Sequence, residues 1–142
     1  MNKWMRLAYD EALAGMNRND GGPFGALIVH NGEMIARAHN EVLKSNDPTA
    51  HAEINAIRKA SQTLGRHDLS DCILYTTCYP CPMCMGAILW ARIPVVYYGA
   101  TGADAAKGGF DDARFHTFIQ NPEKAFDLRP LDVEKTRELF TR

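Results

Sequence analysis

The sequence lacks a strong excess of either charge: 16 Lys and Arg stand against 17 Asp and Glu in 142 residues. A nucleic-acid binder ordinarily carries a basic face, so this balance argues against one and favours a small or neutral partner. No apolar run approaches the ~20 residues of a membrane helix. No leader is read either, because Met1-Asn2-Lys3-Trp4 leads straight into an amphipathic pattern. There is no internal repeat, linker or low-complexity tract. Cysteine is scarce and clustered: beyond Cys72, the rest are Cys78, Cys81 and Cys84, inside one proline-rich turn. A disulfide scaffold spreads its cysteines along a short secreted chain, so reduced thiols in a soluble, cytoplasmic protein are expected. A chain of this length is expected to form one domain, residues 1–142. Such a domain builds a core without disulfides or a structural metal, so a metal here would serve chemistry.

What is present is a regular succession of elements. Trp4, Leu7, Ala8, Ala12 and Met16 recur at helical spacing, which predicts a helix from Lys3 to about Asn17. Phe24–Val29 reads as a buried strand, His30-Asn31-Gly32 as a tight turn, and Glu33–Asn40 as the returning strand. After a Glu41–Pro48 loop, a helix is predicted from about Thr49 to Leu64, stopping at Gly65, with Ile54, Ile57, Ala60 and Leu64 as its apolar stripe. A strand over Cys72–Thr77, a helix from the Cys81-Pro82 region to about Arg92, and a buried strand over Pro94–Ala100 follow. Thr101–Gly109 reads as a loop. A short helix to about Ile119, an edge strand at Phe126–Leu131 and a last helix over Asp132–Phe140 close the chain. A hairpin followed by strand–helix alternation makes a mixed sheet with helices on both faces. The expectation is therefore an α/β fold, a three-layer α/β/α sandwich with a five-stranded mixed sheet.

Two segments carry chemistry: His51-Ala52-Glu53, at the start of one predicted helix, and Pro80-Cys81-Pro82-Met83-Cys84, at the start of the next. Zinc favours thiolate and imidazole ligands in a tetrahedron. Two cysteines one helical turn apart supply two thiolates, and the helix N-terminus favours their charge. His51 is the third ligand on this reading. No fourth Cys or His has comparable spacing, so water or hydroxide is expected in the fourth position, the pattern of catalytic zinc. Glu53, two residues beyond His51, is placed to accept a proton from that water and pass it to a leaving group. Cys72 and Cys78 read as core thiols. His30, His39, His67 and His116 show no ligand spacing and read as surface or loop residues.

Together the two segments form the H-x-E…P-C-x-x-C signature of zinc deaminases. On it, and on Gly21-Gly22-Pro23-Phe24-Gly25-Ala26, Ser45–Ile54, Asp71–Thr76, Gly86-Ala87-Ile88, Trp90-Ala91-Arg92 and Gly109-Phe110-Asp111-Asp112, the chain resembles the cytidine deaminase superfamily and, within it, the guanine deaminases. The resemblance spans roughly residues 2–120. It implies the cytidine-deaminase-like fold, one zinc per chain, and hydrolysis of guanine to xanthine and ammonia. It further implies that Asn40 hydrogen-bonds the ring, that Phe24 and Trp90 line the pocket, that the backbone at Ala52 meets a ring polar group, and that Asp112 is a second catalytic acid beside Glu53. A homodimer is implied as well. Two departures are visible: Tyr79 stands where relatives often have Glu, and the chain stops at Phe140-Thr141-Arg142 where guanine deaminases have a longer, aromatic-bearing tail. They leave open another amino-heterocycle as substrate, such as cytosine, a triazine or a pterin. The Asp47–Glu53 stretch is shared with tRNA adenosine deaminases, which is a further alternative. A non-catalytic, zinc-stabilised interaction domain is the remaining alternative.

Overall fold

Along the strand β1 (Gly25–His30), Ala26 and Ile28 point to one side and Leu27 and Val29 to the other, and all four are buried. A strand apolar on both faces needs a covering layer on each, and the computed structural model, which describes residues 1–141, supplies both. Arg142, the last residue of the expected domain, lies outside the described residues. Helix α1 (Lys3–Asn17) covers one face, where Ala8, Leu27 and Val29 pack with Trp4, Met5, Leu7 and Tyr75. On the other face Ala26 and Ile28 join the apolar stripe of α3 (Ala52–Leu64) and the inner side of α4 (Pro82–Ala91). Full burial of side chains such as Ile28, Leu27 and Leu74 stabilises by about 1.5–3 kcal/mol each.

The sheet is mixed. Its order is β2 (Glu33–His39), β1, β3 (Cys72–Cys78), β4 (Val95–Ala100); β1 runs antiparallel to both neighbours, and β3 and β4 are parallel. The β1–β2 hairpin turns through Asn31 and Gly32 at φ 50° and 78°, the positive values that a two-residue turn of this kind requires. A short helix, α2 (Val42–Ser45), interrupts the loop after β2.

Three expectations are corrected. The sheet has four strands among the described residues, not five, because Phe126–Leu131 forms no strand. Pro130 has no N–H to give a ladder, and Arg129 is engaged locally with Asp127. Second, β4 is not buried: Tyr97 and Tyr98 are about half exposed, since it is an edge strand with one neighbour. Third, the Thr101–Gly109 segment contains a helix, α5 (Gly102–Lys107). Thr101 and Asp104 cap its start reciprocally, each side chain accepting from the other's backbone N–H. The chain divides into two compact units, the first covering Met1–Asp112. The second begins at Ala113 and contains α6 (Ala113–Gln120), α7 (Val133–Arg137) and two 3-10 turns.

Candidate active site

The two chemistry-bearing segments become two helix starts. His51 is the N-cap of α3, and Cys81 is the N-cap of α4, with Pro82 in the first helical position. The first turn of a helix has N–H groups with no intrahelical acceptor, and here they meet sulfur: the Ile54 N–H bonds Cys84, and the Cys84 N–H bonds Cys81. Each helix thus stabilises a negative sulfur near its own or its neighbour's start. His51 Nδ1 lies 3.5 Å from both Cys81 Sγ and Cys84 Sγ, and the three donor atoms all fall within 4.8 Å of one another.

That spacing fits a metal ion. A tetrahedral zinc with bonds of about 2.05 Å to nitrogen and 2.3 Å to sulfur sets N···S at about 3.5 Å. Without the ion the three groups share protons. The Cys84 thiol hydrogen-bonds Cys81 and, with His51, holds Cys81 down to about 4, although burial opposes it. Cys84 is pushed up by its bond to Cys81 and by burial. His51 is raised by the Cys81 sulfur beside it, against burial.

Glu53 sits one residue into the same helix and is 6% exposed. Burial pushes its carboxyl up to about 7; the Cys81 sulfur adds to the rise, while its own N–H, His51 and the Thr76 hydroxyl oppose it. A carboxyl near neutrality takes up and releases protons with equal ease at working pH.

Of the other expected residues, Asp112 is half-buried and its charge bears on His51 and on Cys78. Ala52 is fully buried at the first position of α3, so its N–H has no intrahelical acceptor. Asn40 is buried directly after β2; its N–H donates to Phe24 O at 3.1 Å, and its Oδ1 accepts from Val42 N–H at 3.0 Å. That leaves Nδ2 as the atom able to meet a ring acceptor. Phe24 packs edge-on to Phe110, centroids 5.1 Å apart. Trp90 stands apart from this group: on the last turn of α4 the residue is 85% exposed in the single chain. Cys72 and Cys78 are buried free thiols at the two ends of β3, as expected.

Thr76, Phe110 and His39 went unnoticed as participants in the sequence. Thr76 faces Glu53 from β3, a placement that the period-2 burial of that strand could have revealed. His39, expected at the surface, is buried; the correction follows from its carboxylate partners, which are remote in sequence. An apolar cavity of about 480 Å³ lies between α1 and the β3–β4 ends, lined by Met5, Met16, Phe24, Cys78, Ala105 and Phe110 among others. None of His51, Glu53, Cys81 or Cys84 lines it, so it is a separate space from the donor cluster.

Comparison with known proteins agrees with this geometry. The chain is 54% identical over 136 residues to a guanine deaminase of Bacillus subtilis, covering 96% of this chain and 87% of that protein. It is 44% identical over 117 residues to a tRNA-specific adenosine deaminase of Agrobacterium fabrum, covering 82% and 74% of the two. The X-ray structure of guanine deaminase from Bacillus subtilis superposes with a TM-score of 0.91 at 47% identity, covering 100% of this chain and 94% of that one. Residues 1–100 match the family described as the cytidine and deoxycytidylate deaminase zinc-binding region. With a helix-capping His/Cys/Cys donor set and a buried glutamate one residue on from the histidine's neighbour, the chain belongs to the cytidine and deoxycytidylate deaminase family.

Proposed function

We propose that this chain hydrolyses guanine, with His51, Cys81 and Cys84 holding one zinc and Glu53 as the catalytic proton carrier. The observation that carries the reading is a buried carboxylate, Glu53, two residues from His51 in a trio of donors spaced for one ion. Zinc held by these three residues would supply a Lewis acid able to activate a water molecule. Deamination of guanine adds one water and gives xanthine and ammonia. Glu53 removes a proton from the attacking water and returns it to the amine, which leaves as ammonia.

The chain's other residues bind and orient. Asn40 Nδ2 donates to a ring acceptor, the Ala52 N–H meets a ring polar group, and the Phe24 ring packs against the base. Asp112 is the second acid, beside the amine. Trp90 is assigned to the pocket by resemblance alone, and its exposure, with that of Leu89, Tyr97 and Tyr98, supports a homodimer that covers this surface. Four free cysteines support a reducing, cytoplasmic location. No helix among the described residues is long and apolar enough to cross a membrane. Residues 1–142 act as one deaminase domain in this proposal.

Guanine is preferred over other rings because a guanine deaminase matches nearly the whole chain. The test is a panel of guanine, adenine, cytosine, an aminotriazine, a pterin and an anticodon stem-loop, with zinc-loaded protein and ammonia release as readout. Guanine is expected to give the highest kcat/KM; a higher value for any other member replaces it as substrate. Sedimentation of the same protein tests the homodimer, and a monomer at micromolar concentration contradicts it.

A further inference from the structure

The strongest polar cluster outside the donor set surrounds His39, the last residue of β2. Its Nδ1 lies 2.5 Å from Glu11 Oε2 of α1, and its Nε2 lies 2.7 Å from Asp20 Oδ2. Glu41 Oε1 stands 3.7 Å from Nε2, and Arg37 Nε bonds the other Glu11 oxygen at 2.8 Å. The His39 side chain is 7% exposed, Asp20 10% and Glu11 17%. A neutral imidazole has one donor and one acceptor nitrogen. Facing a carboxylate at each end, a neutral ring would aim a lone pair at an anion, whereas a ring donating from both nitrogens would satisfy both carboxylates.

This clamp is joined to the substrate side at three points. The Asp20 carbonyl accepts from Leu43 and Lys44 N–H, both at 3.0 Å, which ties the loop before β1 to α2. That loop continues through Gly21 to Phe24, and Gly21 approaches Asn40 so closely that a Cβ there would lie 2.1 Å from Asn40 Oδ1. On the far side, Asn55 Nδ2 of α3 donates to the His39 carbonyl at 3.0 Å, and Asn55 N–H donates to the His51 carbonyl at 2.9 Å. The ring itself rests on Gly15 of α1, where a Cβ would lie 2.3 Å from its Cδ2. A shift of His39 is therefore a shift of Asn40 and of the loop that ends in Phe24.

We propose that His39 is a positioning residue whose imidazolium, clamped between Glu11 and Asp20, holds Asn40 and the Asp20–Phe24 loop in the geometry that receives the base. The proposal rests on the reading of Asn40 as a substrate contact. It assigns His39 to binding, not to proton transfer, so it acts on KM.

The test combines guanine kinetics on the zinc-loaded enzyme with the histidine-ring 15N spectrum. Wild-type protein is expected to show both His39 ring nitrogens protonated near neutral pH, the signal being assigned by its absence from His39→Gln. His39→Gln and Asp20→Ala each lose a charge-assisted hydrogen bond and are expected to raise KM roughly ten- to a hundredfold. Their kcat is expected to stay within about threefold of wild type. Asp20→Asn is the rescue: a neutral ring then donates to Glu11 and accepts from the new amide, so KM returns to within about threefold of wild type. Wild-type KM in both His39→Gln and Asp20→Ala, or a fall in kcat with KM unchanged, overturns the proposal, as does a His39 ring with one bare nitrogen. Asn40→Ala with wild-type KM also overturns it while leaving the deaminase reading intact. Absence of guanine turnover in the wild type counts against the substrate reading instead, and the ring spectrum still decides the clamp.

Discussion

Two histidines in this chain are each held between two partners that carry or share negative charge, in opposite arrangements. His51 offers one nitrogen, Nδ1, to Cys81 and Cys84 at equal distance. His39 turns one nitrogen to Glu11 and the other to Asp20. In the first case the donor atoms converge, and a soft cation can replace the protons that hold them together. In the second the acceptors lie on opposite sides of the ring, where no single ion can touch both. What separates a metal site from an ionic clamp is thus the direction of the donor atoms, not the residue types or the burial.

Removing one converging donor breaks this contrast most severely. Cys84→Ala leaves two ligands; zinc is expected to fall from one per chain to below about a tenth, and ammonia release to background. Metal analysis and the deaminase assay check both. Next in size is the pH dependence of zinc affinity. His51 and Cys84 are both pushed toward their protonated forms, so zinc binding is expected to release protons and to tighten as pH rises. Calorimetry in buffers of different ionisation enthalpy counts the protons, and release of none would mean the site is already deprotonated.

The diverging arrangement is expected to matter for stability. His39→Ala leaves the buried Asp20 without its ring partner and the half-buried Glu11 with Arg37 alone, and is expected to cost about 3 kcal/mol in urea denaturation. A loss below about 1 kcal/mol would show that water or Arg37 replaces the ring. The smallest effect belongs to Glu53 in metal-free protein. Its folded-state value of about 7 lies above its ordinary 4.5, so between those values the folded state holds a proton that the unfolded chain has released. The contribution of Glu53 to stability is therefore fullest below about 4.5 and is lost as pH rises through about 7. Glu53→Gln should flatten that decline in urea midpoints measured across the range.

The first arrangement was legible in the sequence and the second was not, for a physical reason. His51, Cys81 and Cys84 advertise themselves through local signals: a tight ligand spacing, a proline at a helix start and a helix N-terminus beside each. Asn31-Gly32 and Gly65 likewise announced a turn and a helix stop. His39 meets residues 28 and 19 positions away, and nothing local marks a histidine at the end of a strand as buried. The helix α5 was legible and passed over: Thr101-Gly102-Ala103-Asp104 is a capping box. The Phe126–Leu131 segment reads as an edge strand because Pro130 removes a ladder donor, yet a strand exists only where a neighbour offers a ladder.

The account depends above all on Glu53 moving the proton. The direct measurement is guanine turnover by Glu53→Gln and wild type at equal zinc content. We predict xanthine and ammonia in equal amounts from the wild type, and a loss of roughly a hundredfold to ten-thousandfold in kcat for the variant. Turnover by Glu53→Gln within a few fold of wild type, with zinc in place, would contradict it.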